Sequence, residues 1–143
     1  MALLLVPLLA TFKPAFANAY PGPYAALIIS VYDGDTFRAR VNVWPGIIID
    51  VSVRVRGVDT PEIKGKCKAE IEKAIKARDY ARVWLNSAVF LKNVSLGKYA
   101  GRVIADVYDQ SGNQLSSDII SNGLGRKYNG GRRMSWCKTI PKH

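Results

Sequence analysis

Residues 51–62 read Val51-Ser52-Val53-Arg54-Val55-Arg56-Gly57-Val58-Asp59-Thr60-Pro61-Glu62. Valines at 51, 53 and 55 alternate with Ser52, Arg54 and Arg56. That period of two belongs to a strand with one face buried and one face open. The apolar run Ile47-Ile48-Ile49 precedes it, so a strand is expected over Ile47–Val58. Pro61 ends the pattern and leaves Asp59 and Glu62 on the turn that follows.

The stretches on either side extend the same architecture. Ala25–Tyr32 is apolar and β-branched, Asp33-Gly34 is a turn signal, and Thr36–Val43 resumes as a strand, so the pair reads as a hairpin. Trp44-Pro45-Gly46 turns the chain into the third strand. From Lys66 to Ala88 there is no Gly or Pro. Cys67, Ile71, Ala74, Ala81, Leu85 and Ala88 recur at helical spacing, which predicts a long amphipathic helix. Val89–Leu96 and Arg102–Tyr108 read as strands. Ser111-Gly112-Asn113 is a turn, and Ser116 or Ser117 is placed to cap a short helix ending at Gly123. A last short strand is expected within Leu124–Tyr128. Five or so strands with a helix inserted after the third predict a small α+β barrel.

The chain of 143 residues carries 21 Lys+Arg against 11 Asp+Glu, a formal net charge of +10. At this length one domain is expected. Hydrophobic residues make up 48% and charged residues 22%, which argues against a disordered basic tail. The excess positive charge points to a polyanion, either nucleic acid or an anionic membrane. After Asp118 no acid occurs, while Arg126, Lys127, Arg132, Arg133, Lys138 and Lys142 follow. That stretch suits one wall of a phosphate-binding groove.

Met1–Phe12 is uncharged and Leu-rich, and Ala15-Phe16-Ala17 offers an A-x-A cleavage pattern. Residues 1–17 therefore read as a signal peptide, residues 18–23 with Pro21-Gly22-Pro23 as a linker, and residues 24–143 as the single domain. The apolar stretch is too short to span a bilayer, which takes about 20 residues. An exported, periplasmic or extracellular location is expected. In such a protein the even pair Cys67 and Cys137 suggests a disulfide, whereas two free buried thiols suit a cytoplasmic one. No zinc-binding pattern occurs, because the only His is His143.

The acids are the minority charge and the more informative one. Asp33 and Asp35 are two apart on an extended segment, and Asp59 and Glu62 flank Thr60-Pro61. Carboxylates from two such turns can converge on a hard cation, which prefers oxygen ligands.

Three motifs, in order, carry a family resemblance. They are Val31-Tyr32-Asp33-Gly34-Asp35-Thr36, then Val53–Glu62, then Lys98-Tyr99-Ala100-Gly101-Arg102-Val103. Together they resemble the staphylococcal nuclease (thermonuclease) family from Tyr32 to Trp136, and Gly123–Tyr128 through Ser135-Trp136-Cys137 resembles its exported bacterial members. The resemblance implies a five-stranded OB-type β-barrel with two or three packed helices. It implies a Ca²⁺-dependent endonuclease acting on DNA and RNA and leaving 5′-hydroxyl and 3′-phosphate ends. Asp35, Asp59 and the carbonyl of Thr60 match the metal ligands, and Glu62 matches the acid that holds or deprotonates water. Arg54 and Arg102 match the two phosphate-binding arginines. Asp33 lies close to the metal position without matching a ligand. Tyr99 and Tyr128 are placed to stack on bases or sugars. A Cys67–Cys137 bridge would tie the short C-terminus back to the first helix. A monomer without a stable protein partner is expected.

Two other classes compete with that expectation. One is an OB-fold nucleic-acid-binding module that has lost catalysis. The other is a basic protein that binds an anionic surface, which leaves the carboxylate clusters without a role.

Overall fold

The computed structural model describes residues 20–137. The expected signal peptide, residues 1–17, lies outside them.

The hairpin reading of the first two strands is realised as β1 (Tyr24–Asp33) and β2 (Thr36–Trp44). β3 (Ile47–Val55) pairs antiparallel with β2, and β6 (Arg102–Tyr108) pairs parallel with β3. β5 (Val89–Leu96) pairs with both β6 and β1 and closes a barrel in the order β1-β2-β3-β6-β5. The five-stranded OB-type barrel expected from the sequence is present. It is joined by two helices, α1 (Lys68–Trp84) and α2 (Leu115–Ser121).

The third strand departs from its expected length. It was expected to run from Ile47 to Val58, but the chain leaves the barrel at Arg56. The Arg56 N–H donates to the Ala105 carbonyl at 2.8 Å, and Gly57 adopts a φ of +82°, open to glycine but rare for other residues. A separate strand, β4 (Gly57–Asp59), then pairs with β7 (Arg126–Tyr128) in a two-stranded sheet. The alternation of valines stops at the same point: Gly57 takes the next place in the series and Val58 falls out of phase, so the sequence itself marks the break.

Inward-facing residues of the barrel form the core: Phe37, Ala39 and Val41 of β2, Val53 and Val55 of β3, Leu91 of β5, and Ala105 and Val107 of β6. Leu115 and Ile119 of α2 and Ala81 and Leu85 at the end of α1 pack on the same core. The buried face of α1 is mainly alanine, with Ala74, Ala77 and Ala81 fully covered. Small side chains there let the helix axis lie close to β1 and α2.

The helix starts at Lys68 rather than Lys66 and ends before Ala88. The Glu70 carboxylate accepts the Lys66 N–H at 2.9 Å, holding that residue outside the helix. In α2 the N-cap is Gln114, without a side-chain cap bond, so neither Ser116 nor Ser117 caps it. Ser116 is instead buried inside the helix. Within the expected linker, Tyr20 exchanges both backbone hydrogen bonds with Val94, at 2.6 and 2.7 Å. This part of the segment is docked on the barrel edge.

Candidate functional site

The Asp33-Gly34-Asp35 turn does more than join two strands. Asp33 Oδ1 accepts the Ile63 N–H at 3.0 Å, and Asp35 Oδ2 accepts the Thr60 N–H at 2.7 Å. The Val55 N–H donates to the Asp35 carbonyl at 2.8 Å. The turn is thus lashed to the end of β3 and to the loop between β4 and α1. Gly34 is required by space: a Cβ there would lie 2.9 Å from both the Ala77 Cβ and the Thr60 Cγ2.

This lashing buries carboxylates. Asp35, Asp59 and Thr60 are almost completely covered, and Asp33 nearly so. Burial pushes the Asp33 carboxyl above its usual pKa, the hydrogen bond from Ile63 opposes that, and the charges of Asp35 and Glu62 add to the rise. Buried carboxylates need compensating charge or donors. Arg54 of β3 sits opposite Thr36, beside the turn. Its guanidinium pairs with Asp35 Oδ1, lies 3.5 Å from Asp59 Oδ1, and donates to the Val58 carbonyl at 3.2 Å.

Next to this cluster lies a groove of about 570 Å³. Arg54, Glu62, Tyr99, Arg102 and Tyr128 all line it, so five residues singled out in the sequence meet on one surface. Arg102 begins β6, and its guanidinium stacks 4.8 Å from the Tyr99 ring centroid. Its Nε is buried and has no hydrogen-bond partner among the described residues. Tyr99 is exposed, while the Tyr128 hydroxyl donates to the Gly131 carbonyl at 2.7 Å.

Sequence reasoning missed where the C-terminal arginines go. The Arg126 Nη2 donates to Asp59 Oδ2 at 2.9 Å, and the Trp136 Nε1 donates to the same oxygen at 3.2 Å. The Arg126 guanidinium lies 4.0 Å from the Trp136 ring centroid. Arg133 bridges Asp59 Oδ1 and Glu62 Oε1 and lies 3.3 Å from the Thr60 carbonyl oxygen. Burial works against the Arg133 charge, but its bonds to Glu62 and Asp59 prevail and raise its pKa above that of ordinary arginine. The acid-free run after Asp118 was a signal for positive charge, but an irregular segment has no periodicity to say which way its side chains face.

Cys67, at the entry to α1, is disulfide-bonded to Cys137 across 70 residues. Glu70 lies beside the bridge, with its Oε2 3.5 Å from the Cys137 Sγ. With the two sulfurs joined to each other, this Cys-Glu-Cys group has no thiolate to offer a metal. Among the described residues no helix is long and apolar enough to cross a membrane.

The oxygens of Asp59, Thr60 and Glu62 already converge on one positive group, the Arg133 guanidinium, with Asp35 linked to Asp59 through Arg54. The donor set is all oxygen and is predominantly anionic, which fits a hard divalent cation such as Ca²⁺.

A closed five-stranded barrel with an acidic cluster beside an arginine-lined groove defines a protein of nuclease-type OB fold. The family described as staphylococcal nuclease homologue has a sequence model that matches residues 52–138, and the chain belongs to that family. Asp33 and Asp35 lie ahead of the matched span, and the fold brings them to it through Thr60 and Ile63. No curated protein matches the chain.

Proposed function

We propose that this chain is a Ca²⁺-dependent, sugar-nonspecific endonuclease that hydrolyses phosphodiester bonds of DNA and RNA. The observation that carries the reading is the buried, unpartnered Nε of Arg102, beside Arg54 and Glu62 on one groove. A buried N–H without a partner costs free energy unless a ligand supplies an acceptor. A phosphate oxygen is such an acceptor, and a planar guanidinium can hold two of them.

Asp35, Asp59 and the Thr60 carbonyl would hold the cation. When bound, Ca²⁺ supplies positive charge that stabilises the phosphoryl oxygens as negative charge shifts onto them. Arg54 and Arg102 grip the scissile phosphate from β3 and β6 and fix its orientation. Glu62, partly exposed at the groove, accepts or orients the proton of the attacking water. Water adds to phosphorus and the bond to the 5′ oxygen breaks; that oxygen takes up a proton and leaves as a 5′-hydroxyl, and the 3′ side keeps the phosphate. Tyr99 and Tyr128 offer π-faces to flanking bases or sugars. These contacts read the backbone and not base edges, so broad sequence tolerance is expected. The disulfide favours an oxidising compartment, in keeping with export to the periplasm or outside the cell.

A second reading has its own observation. Arg133 already neutralises Asp59 and Glu62, as it would in a binding module that no longer hydrolyses its ligand. Assays on single-stranded DNA separate the two. Cleavage with Ca²⁺ that stops with chelator and falls about 10²- to 10³-fold in Arg102→Ala is expected for the nuclease. Salt-sensitive binding without Ca²⁺-dependent cleavage would establish the binding module instead.

A further inference from the structure

The chain after β7 runs as a strap across the acidic cluster, fixed at both ends. At one end Arg126 of β7 pairs with Asp59 on the neighbouring strand β4. At the other, Cys137 is bonded to Cys67 at the start of α1. Between them Gly130 and Gly131 adopt φ values of +95° and +84°, which only glycine takes readily. Arg133 follows this turn, and its guanidinium points into the cluster.

Three acceptors from three residues surround that guanidinium: Asp59 Oδ1, the Thr60 carbonyl and Glu62 Oε1. Asp59 is 1% exposed at its side chain, whereas Arg133 is 36% exposed. The arginine therefore lies on the solvent side of a buried carboxylate. It can leave without unpacking the core. It cannot stay while a divalent cation takes the same oxygens, because the lone pairs are shared and the charges repel.

We propose that Arg133 sets how tightly this site takes its divalent cation, by acting as an internal cation that the incoming ion displaces. The proposal rests on the reading of Asp59, Thr60 and Glu62 as the cation-binding edge of a nuclease site. Arg126 has a different part: it stacks on Trp136 and holds Asp59 Oδ2, so it keeps the carboxylate in place while Arg133 exchanges.

The test is calorimetric titration of CaCl₂ into the full chain with its disulfide intact. Wild type, Arg133→Gln, Arg132→Gln and Asp59→Asn are compared, and circular dichroism checks the fold of each. Arg132→Gln removes the same charge from the adjacent exposed position and controls for long-range electrostatics. Arg133→Gln is expected to bind Ca²⁺ about tenfold more tightly than wild type, because no charge-assisted bonds have to be broken first. Arg132→Gln is expected to stay within about threefold. If Arg133→Gln does not fold, Arg133→Lys serves, since a single ammonium cannot span the three acceptors; a several-fold tightening is then expected.

Calcium binding by wild type that is lost in Asp59→Asn but unchanged or weaker in Arg133→Gln overturns the proposal and leaves the site reading standing. Equal tightening in Arg132→Gln also overturns it, in favour of a general charge effect. No calcium binding by wild type or by Arg133→Gln overturns the site reading and the proposal together.

Discussion

The Thr60 N–H donates to Asp35 Oδ2 at 2.7 Å, so the β1–β2 turn and the loop leading to α1 behave as one piece. The hydrogen bond from Ile63 to Asp33 repeats the tie three residues later. Asp35 and Asp59, which belong to separate segments of the chain, are thereby held beside Arg54. The spacing of these ties depends on Gly34, whose missing Cβ admits both Ala77 and Thr60.

Gly34→Ala is expected to cost about 1–3 kcal/mol through overpacking between the turn, the loop and α1. The proposed cleavage activity is expected to fall as well, because Asp33 and Asp35 move with the turn. Urea denaturation and a single-strand cleavage assay on the same preparation check both. Unchanged stability would mean that the loop gives way without cost, and the claim that Gly34 sets the spacing would fail.

Why this site was partly readable can be argued from individual residues. Arg54 was legible because β3 alternates, and alternation sends Arg54 to the face away from Val53 and Val55. Asp35 and Asp59 were legible as turn residues, but their burial was not, since it follows from tertiary ties at Thr60 and Ile63. The barrel order was not available from periodicity either: the parallel pairing of β3 with β6 joins residues about 50 apart, Ser52 opposite Arg102. Arg56 shows the limit on the local scale. Its place in the alternation matches Arg54, yet it donates to the Asn93 carbonyl at 2.6 Å and to Ser95 Oγ at 3.1 Å, and so serves the barrel wall.

Tyr99 supports Arg102 from one side and is open to solvent on the other. Tyr99→Ala is expected to weaken single-stranded DNA binding by about 1–3 kcal/mol, the usual worth of one base stacked on an aromatic ring. Fluorescence anisotropy with a labelled oligothymidine, in chelator to prevent cleavage, reads the change. Melting temperature should hold steady, because the ring is exposed. An unchanged dissociation constant would remove Tyr99 from the groove's working surface.

The turn joining β6 to α2 gives a pH prediction. Asp109 accepts hydrogen bonds from the Asn113 side chain at 2.7 Å and from the backbone of Ser111 and Asn113 at 2.8 Å each. The Asn113 side-chain bond is the main cause that pulls its pKa below the ordinary 3.8. A lowered carboxyl pKa contributes stability above the unfolded value and loses it as pH falls through the folded value. The turn should therefore hold at neutral pH and loosen only as pH falls below the ordinary aspartate value of 3.8. Asn113→Ala should move the Asp109 titration up toward 3.8, as carboxyl chemical shifts will show. An Asp109 titration that stays put in the variant would assign the shift to the backbone bonds alone.

The disulfide joins the strap to α1, and its contribution can be separated from that of the site. Closing a loop of 70 residues is worth about 4 kcal/mol in the chain-entropy account. Cys137→Ser, Cys67→Ser and the double variant should therefore lose stability by similar amounts, because either single change removes the same bond. Urea denaturation of the three proteins checks this, with thiol counting under non-reducing conditions to show that the wild-type pair is oxidised. A double variant distinctly less stable than either single one would mean that the sulfur positions matter for packing beside Glu70, and not for closing the loop.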